Sequence, residues 1–199
     1  MTVAMVTPEQ RALADAAAAA APPPTIGAVW RALDEVPDPE IPAVSVLGLG
    51  IVRGVAWEAD APPTLVVKVT PTYSGCPATE LIMASIRDAL TALGVTRLRL
   101  ETRLAPAWTT AWITPDARRR LREFGIAPPE TACGAAAAST PAPVDVSGIS
   151  PLRRSGVVVP CPRCGSRRTR LLSQFGSTAC KAQYRCDDCL EPFDYFKAH

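Results

Sequence analysis

Four cysteines near the C-terminus have the spacing of a metal site. They form two Cys-x-x-Cys pairs, and residues 165–185 lie between the pairs. Two such turns can bring four thiolates to one tetrahedral ion, which is typical of a zinc ribbon. Residues 160–199 are too few for a hydrophobic core to stabilise alone, so we expect a structural zinc ion to supply much of their folding free energy. The expected ligands are Cys161, Cys164, Cys186 and Cys189. A single iron of the rubredoxin type is the less favoured occupant, because nothing else in the sequence indicates a redox centre.

A further thiol, Cys76, directly precedes Pro77. This position predicts the N-cap of a helix, where the helix dipole favours a thiolate. Backbone N–H groups and the hydroxyls of Thr72 and Ser74 would donate to the sulfur, lower its pKa and leave it able to bind iron or attack a disulfide. The spacing fits a second interpretation equally well, because a lone cysteine is often a small buried hydrophobe.

Two weaker candidates accompany these thiols. The segment 38–42 holds the carboxylates of Asp38 and Glu40 between two prolines, and the residues alone favour a capped turn with solvated acids. Cys180 is a fifth thiol in the tail, and it is either a spare ligand for a transferred metal or a filler of a thin core.

The elements that position these residues follow from the periodicity of the apolar side chains. Thr25 is expected to cap a helix that ends before Pro37. Residues 46–57 and 65–70 are expected to form a hairpin. A second helix should begin at Pro77, carry Leu81 on its apolar side and end at Gly94.

An alternating strand over residues 98–104 follows, with arginines on its wet face. A last helix should begin at Thr114, use Ala117, Leu121 and Phe124 as its apolar stripe and stop at Gly125. The order α-β-β-α-β-α predicts a small two-layer α+β domain, with one sheet face under helices and the other available to partners. The predicted organisation is a disordered leader (1–24), this domain (25–126), a Pro/Ala-rich linker (127–159) that contains Cys133, and the zinc-ribbon-like domain (160–199).

Composition excludes several classes of protein. The net charge is +2, and no apolar run approaches the roughly 20 residues of a membrane helix, so we expect a cytoplasmic protein with reduced thiols. The only histidine is His199, so the chain cannot supply two Glu-x-x-His motifs for a di-iron centre or a Ser-His-Asp triad. A nucleic-acid-binding ribbon ranks low, because acidic residues dilute the basic ones of the tail.

Two segments resemble known families. Residues 38–50 together with Thr-Pro-Thr-Tyr-Ser-Gly-Cys-Pro at 70–77 resemble the small α/β domain of iron–sulfur assembly and targeting factors, in which the cysteine of the Cys-Pro step is functional. This resemblance implies a functional Cys76. The tail, with Phe-Gly-Ser-Thr-Ala-Cys-Lys-Ala at 175–182 and Glu-Pro-Phe-Asp-Tyr-Phe-Lys at 191–197, is similar to the ending of the PaaD/PaaJ family of the phenylacetyl-CoA ring-epoxidase system.

This second resemblance implies a role in aerobic phenylacetate degradation. The leading hypothesis is a non-catalytic maturation factor in which Cys76, with Cys180, transiently holds an iron or iron–sulfur species for the reductase or the di-iron oxygenase subunit. Contact with the iron–sulfur assembly machinery is a further expectation. The alternatives are a stoichiometric structural or electron-transfer component of the oxygenase complex and, third, a nucleic-acid-binding module.

Overall fold

The structure is a computed structural model that describes residues 22–59, 62–73, 75–129 and 158–197. The described residues fall into two compact units, divided between Trp108 and Thr109, which are described separately below. Residues 1–21 of the predicted leader and 130–157 of the predicted linker, with Cys133, lie outside the described residues. The disordered leader and the linker therefore stay predictions.

The first unit begins with helix α1, Ile26–Asp34. The Thr25 hydroxyl accepts a hydrogen bond from the Ala28 N–H at 3.2 Å, which confirms the predicted N-cap. The apolar spacing buries Val29 and Leu33. Val36 is also buried, but it lies beyond the helix in the turn that follows.

A three-stranded sheet follows α1. Strand β1, Val52–Glu58, pairs antiparallel with β2, Thr64–Val69, which confirms the predicted hairpin, and β3, Leu98–Thr102, lies parallel to β2. The predicted first strand started too early, because residues 46–50 form turns. Their backbone groups bond locally: Gly50 donates to the Leu47 carbonyl at 2.8 Å and has a φ of +69°. Val46 and Leu49 are nevertheless buried, which explains their strand-like composition.

Helix α2, Thr79–Ala92, connects β2 to β3. It buries Ile82, Ile86 and Leu90, whereas Leu81 is 55 % exposed and was wrongly assigned to the apolar side. Gly94 ends the helix as predicted, with a φ of +98°, and the next N–H, that of Val95, donates to the Leu90 carbonyl at 3.0 Å. This pattern is a Schellman motif, in which the left-handed residue is usually glycine.

The outer face of the sheet carries ion pairs. Arg99 of β3 pairs with Glu58 of β1 and, at 3.1 Å, with Glu101. Since β2 lies between β1 and β3, the Arg99 side chain crosses the central strand and covers it. Arg99 of β3 therefore lies on the wet face that the alternation predicts.

The second unit contains helix α3, Pro115–Phe124, after a 3₁₀ turn at Thr110–Trp112. Thr114 caps α3 by accepting the Ala117 N–H at 3.1 Å, and Gly125 ends it at a φ of +95°, both as predicted. Phe124 is 55 % exposed, so it does not belong to the apolar stripe. The sequence-based boundaries differ from the compact units here, because α3 clusters with the ribbon rather than with the first unit.

The ribbon itself contains four strands, β4, Ile126–Ala127; β5, Thr169–Ser173; β6, Lys181–Cys186; and β7, Pro192–Phe196. They form one sheet in the order β4-β7-β6-β5. The two-residue strand β4 is parallel to β7, and the other neighbours are antiparallel. Ala127, expected to begin the linker, is part of β4.

Among the described residues, no helix has both the length and the apolar character needed to span a membrane.

Candidate metal centre and isolated thiols

The second unit brings the four predicted thiol ligands together. All four sulfur atoms lie within 4.8 Å of one another. The Sγ–Sγ distance is 3.7 Å between Cys161 and Cys189 and 3.6 Å between Cys164 and Cys186. A tetrahedral ion with metal–sulfur bonds of about 2.3 Å requires sulfur atoms about 3.8 Å apart. The arrangement therefore fits a single ion with four thiolate ligands and no open coordination position.

Tight turns place these sulfurs. In the first turn, the Gly165 N–H donates to the Cys161 carbonyl at 2.9 Å, and Gly165 has a φ of +75°, where a side chain would be strained. In the second turn, the Cys186 N–H donates to the Glu191 carbonyl at 3.0 Å. The Asp188 N–H points at Cys186 Sγ from 3.4 Å, which stabilises a thiolate there.

The pKa values of Cys186 and Cys189 move in opposite directions. The backbone N–H of Cys189 is the largest influence on Cys186 and lowers the pKa of that thiol. At Cys189 the Glu191 backbone N–H lowers the pKa, but burial and the neighbouring thiols outweigh it and raise the pKa to about 12. Four thiolates this close repel one another unless a cation lies between them. Metal binding is therefore expected to release protons.

A small aromatic cluster supports the metal centre. Cys161 and Cys186 share one buried cluster with Tyr184, Phe193 and Tyr195. The Tyr184 ring stacks on Phe193 at 5.9 Å between centroids and meets the edge of Tyr195 at 5.7 Å. Burial raises the pKa of Tyr184. Ala127 and Val159 belong to the same cluster although sequence reasoning assigned both to the linker.

Cys76 lies in a turn before α2 and is not its N-cap, so that prediction was wrong. The cap residue is Ala78, which has no capping side chain. The Cys76 N–H donates to the Tyr73 carbonyl at 3.3 Å, and the Cys76 carbonyl accepts the Thr79 N–H at 3.2 Å. Because the dipole effect is confined to the end turn of a helix, it acts less on this sulfur than expected.

The Cys76 side chain is partly exposed, so an incoming ion can reach it. Among the hydrogen bonds of the described residues, none joins Thr72 to the Cys76 sulfur, and Ser74 lies outside the described residues. Among the residues it describes, the structure therefore shows no hydrogen bond from the Thr72 hydroxyl to the Cys76 sulfur, and donation by the Ser74 hydroxyl stays a prediction. The alternative of a fully buried thiol does not hold for Cys76.

The loop that carries Asp38 and Glu40 lies at the same end of the sheet as the Cys76 loop. The loop of Asp38 and Glu40 ends at Ile51, before β1, and the Cys76 loop begins at Thr70, after β2. The Thr70 N–H donates to the Ile51 carbonyl at 2.8 Å, so a backbone hydrogen bond joins the two loops. Asp38 caps its turn as predicted by accepting the N–H groups of Glu40 and Ile41 at 2.9 Å, but it is buried rather than solvated. Glu40 Oε2 is buried without a hydrogen-bond partner among the described residues.

Cys180 is distant from the four ligands. It directly precedes β6, whose last residue is Cys186, and strands rise about 3.3 Å per residue, so the two residues are about 20 Å apart. Its side chain is buried, and the Thr178 hydroxyl lies 3.0 Å from its sulfur. This position favours the interpretation that Cys180 fills the core.

Basic side chains of the ribbon have local partners. Arg168 pairs with Asp188, Arg170 with Asp187 at 3.5 Å, and Lys181 with Asp194 at 3.7 Å. Arg185 donates to the Leu190 carbonyl at 3.2 Å. Three of these basic groups are thus paired with acidic ones, which does not favour the concentrated positive surface that nucleic-acid binding requires.

Comparisons with known proteins agree with this arrangement. Residues 27–97 match a family described as iron–sulfur cluster assembly protein, and residues 149–197 match the PaaD zinc beta ribbon domain. The chain is 48 % identical over 175 residues to a protein of Escherichia coli that is named as a putative 1,2-phenylacetyl-CoA epoxidase subunit, covering 88 % of this chain and 94 % of that one.

Two solved structures also resemble part of the chain. A domain of unknown function from Bacillus anthracis is 22 % identical, covers 55 % of this chain and 96 % of its own, and has a TM-score of 0.43. A conserved hypothetical protein from Thermotoga maritima is 26 % identical, covers 51 % of this chain and 97 % of its own, and also has a TM-score of 0.43.

Proposed function

This chain belongs to the PaaD family of 1,2-phenylacetyl-CoA epoxidase subunits, and we propose that it is a non-catalytic maturation factor of that system. Its cargo would be iron or an iron–sulfur cluster. The observation that carries the proposal is the partly exposed thiol of Cys76 in a unit that matches iron–sulfur cluster assembly proteins. The four-thiolate site would not have this role, because a single tetrahedral ion would use all four of its thiols.

The two kinds of thiol would have different tasks. Cys76 would hold the cargo transiently, since a single accessible thiolate binds a soft metal but can also release it. The four cysteines of the ribbon would hold a resident zinc ion, for which four thiolates in a tetrahedron are a usual structural site. The buried, unpaired Glu40 carboxylate oxygen at the same end of the sheet as Cys76 would assist the cargo site.

The recipients would be other components of the epoxidase system. We propose the reductase or the di-iron oxygenase subunit as the client and the iron–sulfur assembly machinery as the donor. The six described cysteines are free of disulfides, which fits a reducing compartment, and we therefore place the protein in the cytoplasm.

The test is Cys76→Ala in the full chain, produced together with the other components of the system. Because Cys76 lies outside the packed core, the variant should fold and keep its zinc, while the client carries several-fold less iron. Cys180→Ala is the matched control and should leave client iron unchanged. Clients with normal iron content in the presence of Cys76→Ala would refute the proposal.

A second function is a stoichiometric component of the oxygenase complex, favoured by the word subunit in the name of the Escherichia coli relative. In this case the chain would co-purify with the other components at a fixed ratio. Turnover would fall when the chain is removed from a complex that is already loaded with iron. A maturation factor, in contrast, can be removed after loading without loss of turnover.

A further inference from the structure

Strand β4 links the metal centre to a part of the chain that neither family match covers. The iron–sulfur cluster assembly match ends at residue 97, and the zinc-ribbon match begins at residue 149. Ile126 nevertheless pairs with Asp194 and Ala127 with Tyr195, so β4 is an edge strand of the ribbon sheet. Both residues of β4 are buried.

The strand depends on the same core as the metal ligands. Ala127 lies in the buried cluster that contains Cys161 and Cys186, two of the four thiol ligands. Two residue pairs are too few to hold an edge strand on their own. The packing of Ala127 must therefore contribute much of what keeps β4 in place, and that packing requires the ribbon to be folded.

A second contact joins the same segment to the first metal-binding turn. Arg163 lies between Cys161 and Cys164, and its guanidinium packs against Gly125, where an added Cβ would be 3.2 Å from Nη2. Gly125 ends α3 in the left-handed conformation and directs the chain into β4. Arg118 of α3 donates to the carbonyl of Pro129, just beyond β4, and to that of Thr110, in the 3₁₀ turn before α3.

We propose that β4 is a metal-dependent strap: it is fixed to the ribbon while the four thiolates hold their ion, and it detaches when the ion is lost. The metal centre then controls residues 125–129, in addition to the ribbon. This inference does not depend on the proposed function, because it concerns only the resident metal and the contacts of the second unit.

Hydrogen exchange of the full chain tests the strap directly. With Zn²⁺ bound, the one amide of residues 126–127 that donates to β7 should exchange slowly, because alternate amides of an edge strand point away from the sheet. After chelation, this amide should lose protection together with the amides of β6 and β7, while those of β2 in the first unit keep theirs. If it remains protected without Zn²⁺, or if neither amide is protected with Zn²⁺, the proposal is wrong.

A pair of glycine variants tests the reverse direction of the coupling. Gly125→Ala strains the entry into β4, whereas Gly94→Ala strains the end of α2 in the first unit at nearly the same φ, +98° against +95°. We expect Gly125→Ala to speed the transfer of Zn²⁺ to a chelating dye by about fivefold to thirtyfold, the range given by the usual left-handed strain. Gly94→Ala should change the rate less than about twofold. Equal rates for the two variants would overturn the proposal.

Discussion

The two units of the chain are stabilised in different ways. Of the largest fully buried side chains among the described residues, all but Leu121 and Phe196 lie in the first unit, where aliphatic residues of α1, α2 and the sheet share a core. The ribbon strands instead surround a small aromatic cluster beside four thiols. The first unit is therefore expected to fold by burial of apolar surface, and the ribbon to require its metal.

The largest expected effect comes from losing the metal. Cys164→Ser replaces an exposed ligand without opening a cavity, because Cys164 is the most exposed of the four. Structural zinc in small domains contributes about 10–16 kcal/mol at neutral pH, so the ribbon should unfold while the first unit keeps its fold. Amide NMR spectra of the full chain, with and without chelator, measure this. Dispersed β5–β7 signals in the zinc-free variant would contradict the contrast between the units.

A core truncation in the first unit gives the converse result. Leu90 is fully buried on α2, and Leu90→Ala should lower the unfolding free energy of this unit by about 2–5 kcal/mol. Zinc content and zinc release should not change. Leu81→Ala, at an exposed position of the same helix, is the control and should have almost no effect. Denaturant unfolding monitored separately in each unit distinguishes these outcomes.

Local signals explain what the sequence predicted correctly. Thr25, Thr114, Gly94 and Gly125 mark helix ends through hydrogen bonds and backbone conformations that involve residues no more than five positions away. The four thiols that lie together in the ribbon were also identified from their short spacing. Two Cys-x-x-Cys turns can supply four ligands to one tetrahedral ion in only a few arrangements, so the spacing also predicts that the thiols meet in space.

Non-local contacts explain the errors at β4 and at Val46 and Leu49. Strand β4 consists of two residues that pair with Asp194 and Tyr195, far along the chain, and no periodicity can be read from two residues. Val46 and Leu49 are apolar because they fill the core from a turn, and composition alone made them look like a strand. The error at Cys76 has a local cause. Because proline is common in the first turn of a helix, α2 was predicted to begin at Pro77, but Pro77 and Ala78 form a turn that precedes α2.

Helix caps provide a smaller and closely matched test of the division between the units. Thr25 and Thr114 each accept the N–H three residues ahead, at 3.2 and 3.1 Å. Replacing either by alanine should cost about 1 kcal/mol. Thr25→Ala should destabilise the first unit and Thr114→Ala the second, as measured by hydrogen exchange of β2 and β6. If Thr114→Ala weakened protection of β2 instead, α3 would belong to the first unit.

The smallest expected effects concern surface carboxylates, one in each unit. The pKa of Asp116 is lowered chiefly by its hydrogen bond with Arg119, and the pKa of Glu101 chiefly by its hydrogen bond with Arg103. Since each pKa is lower in the folded state, each group stabilises its unit above the ordinary carboxyl range of about 4, and this contribution is lost as the pH falls through the folded pKa.

Asp116→Asn and Glu101→Gln should therefore lower the thermal stability of their own units slightly at neutral pH. The difference from the unsubstituted chain should shrink in acid and in high salt, because exposed pairs are screened. Thermal unfolding at several pH values, followed unit by unit, checks both variants. A loss that persists in acid would mean that the substitution disturbs helix or strand packing rather than the ion pair. A loss in the first unit caused by Asp116→Asn would place α3 with the sheet of that unit and not with the ribbon.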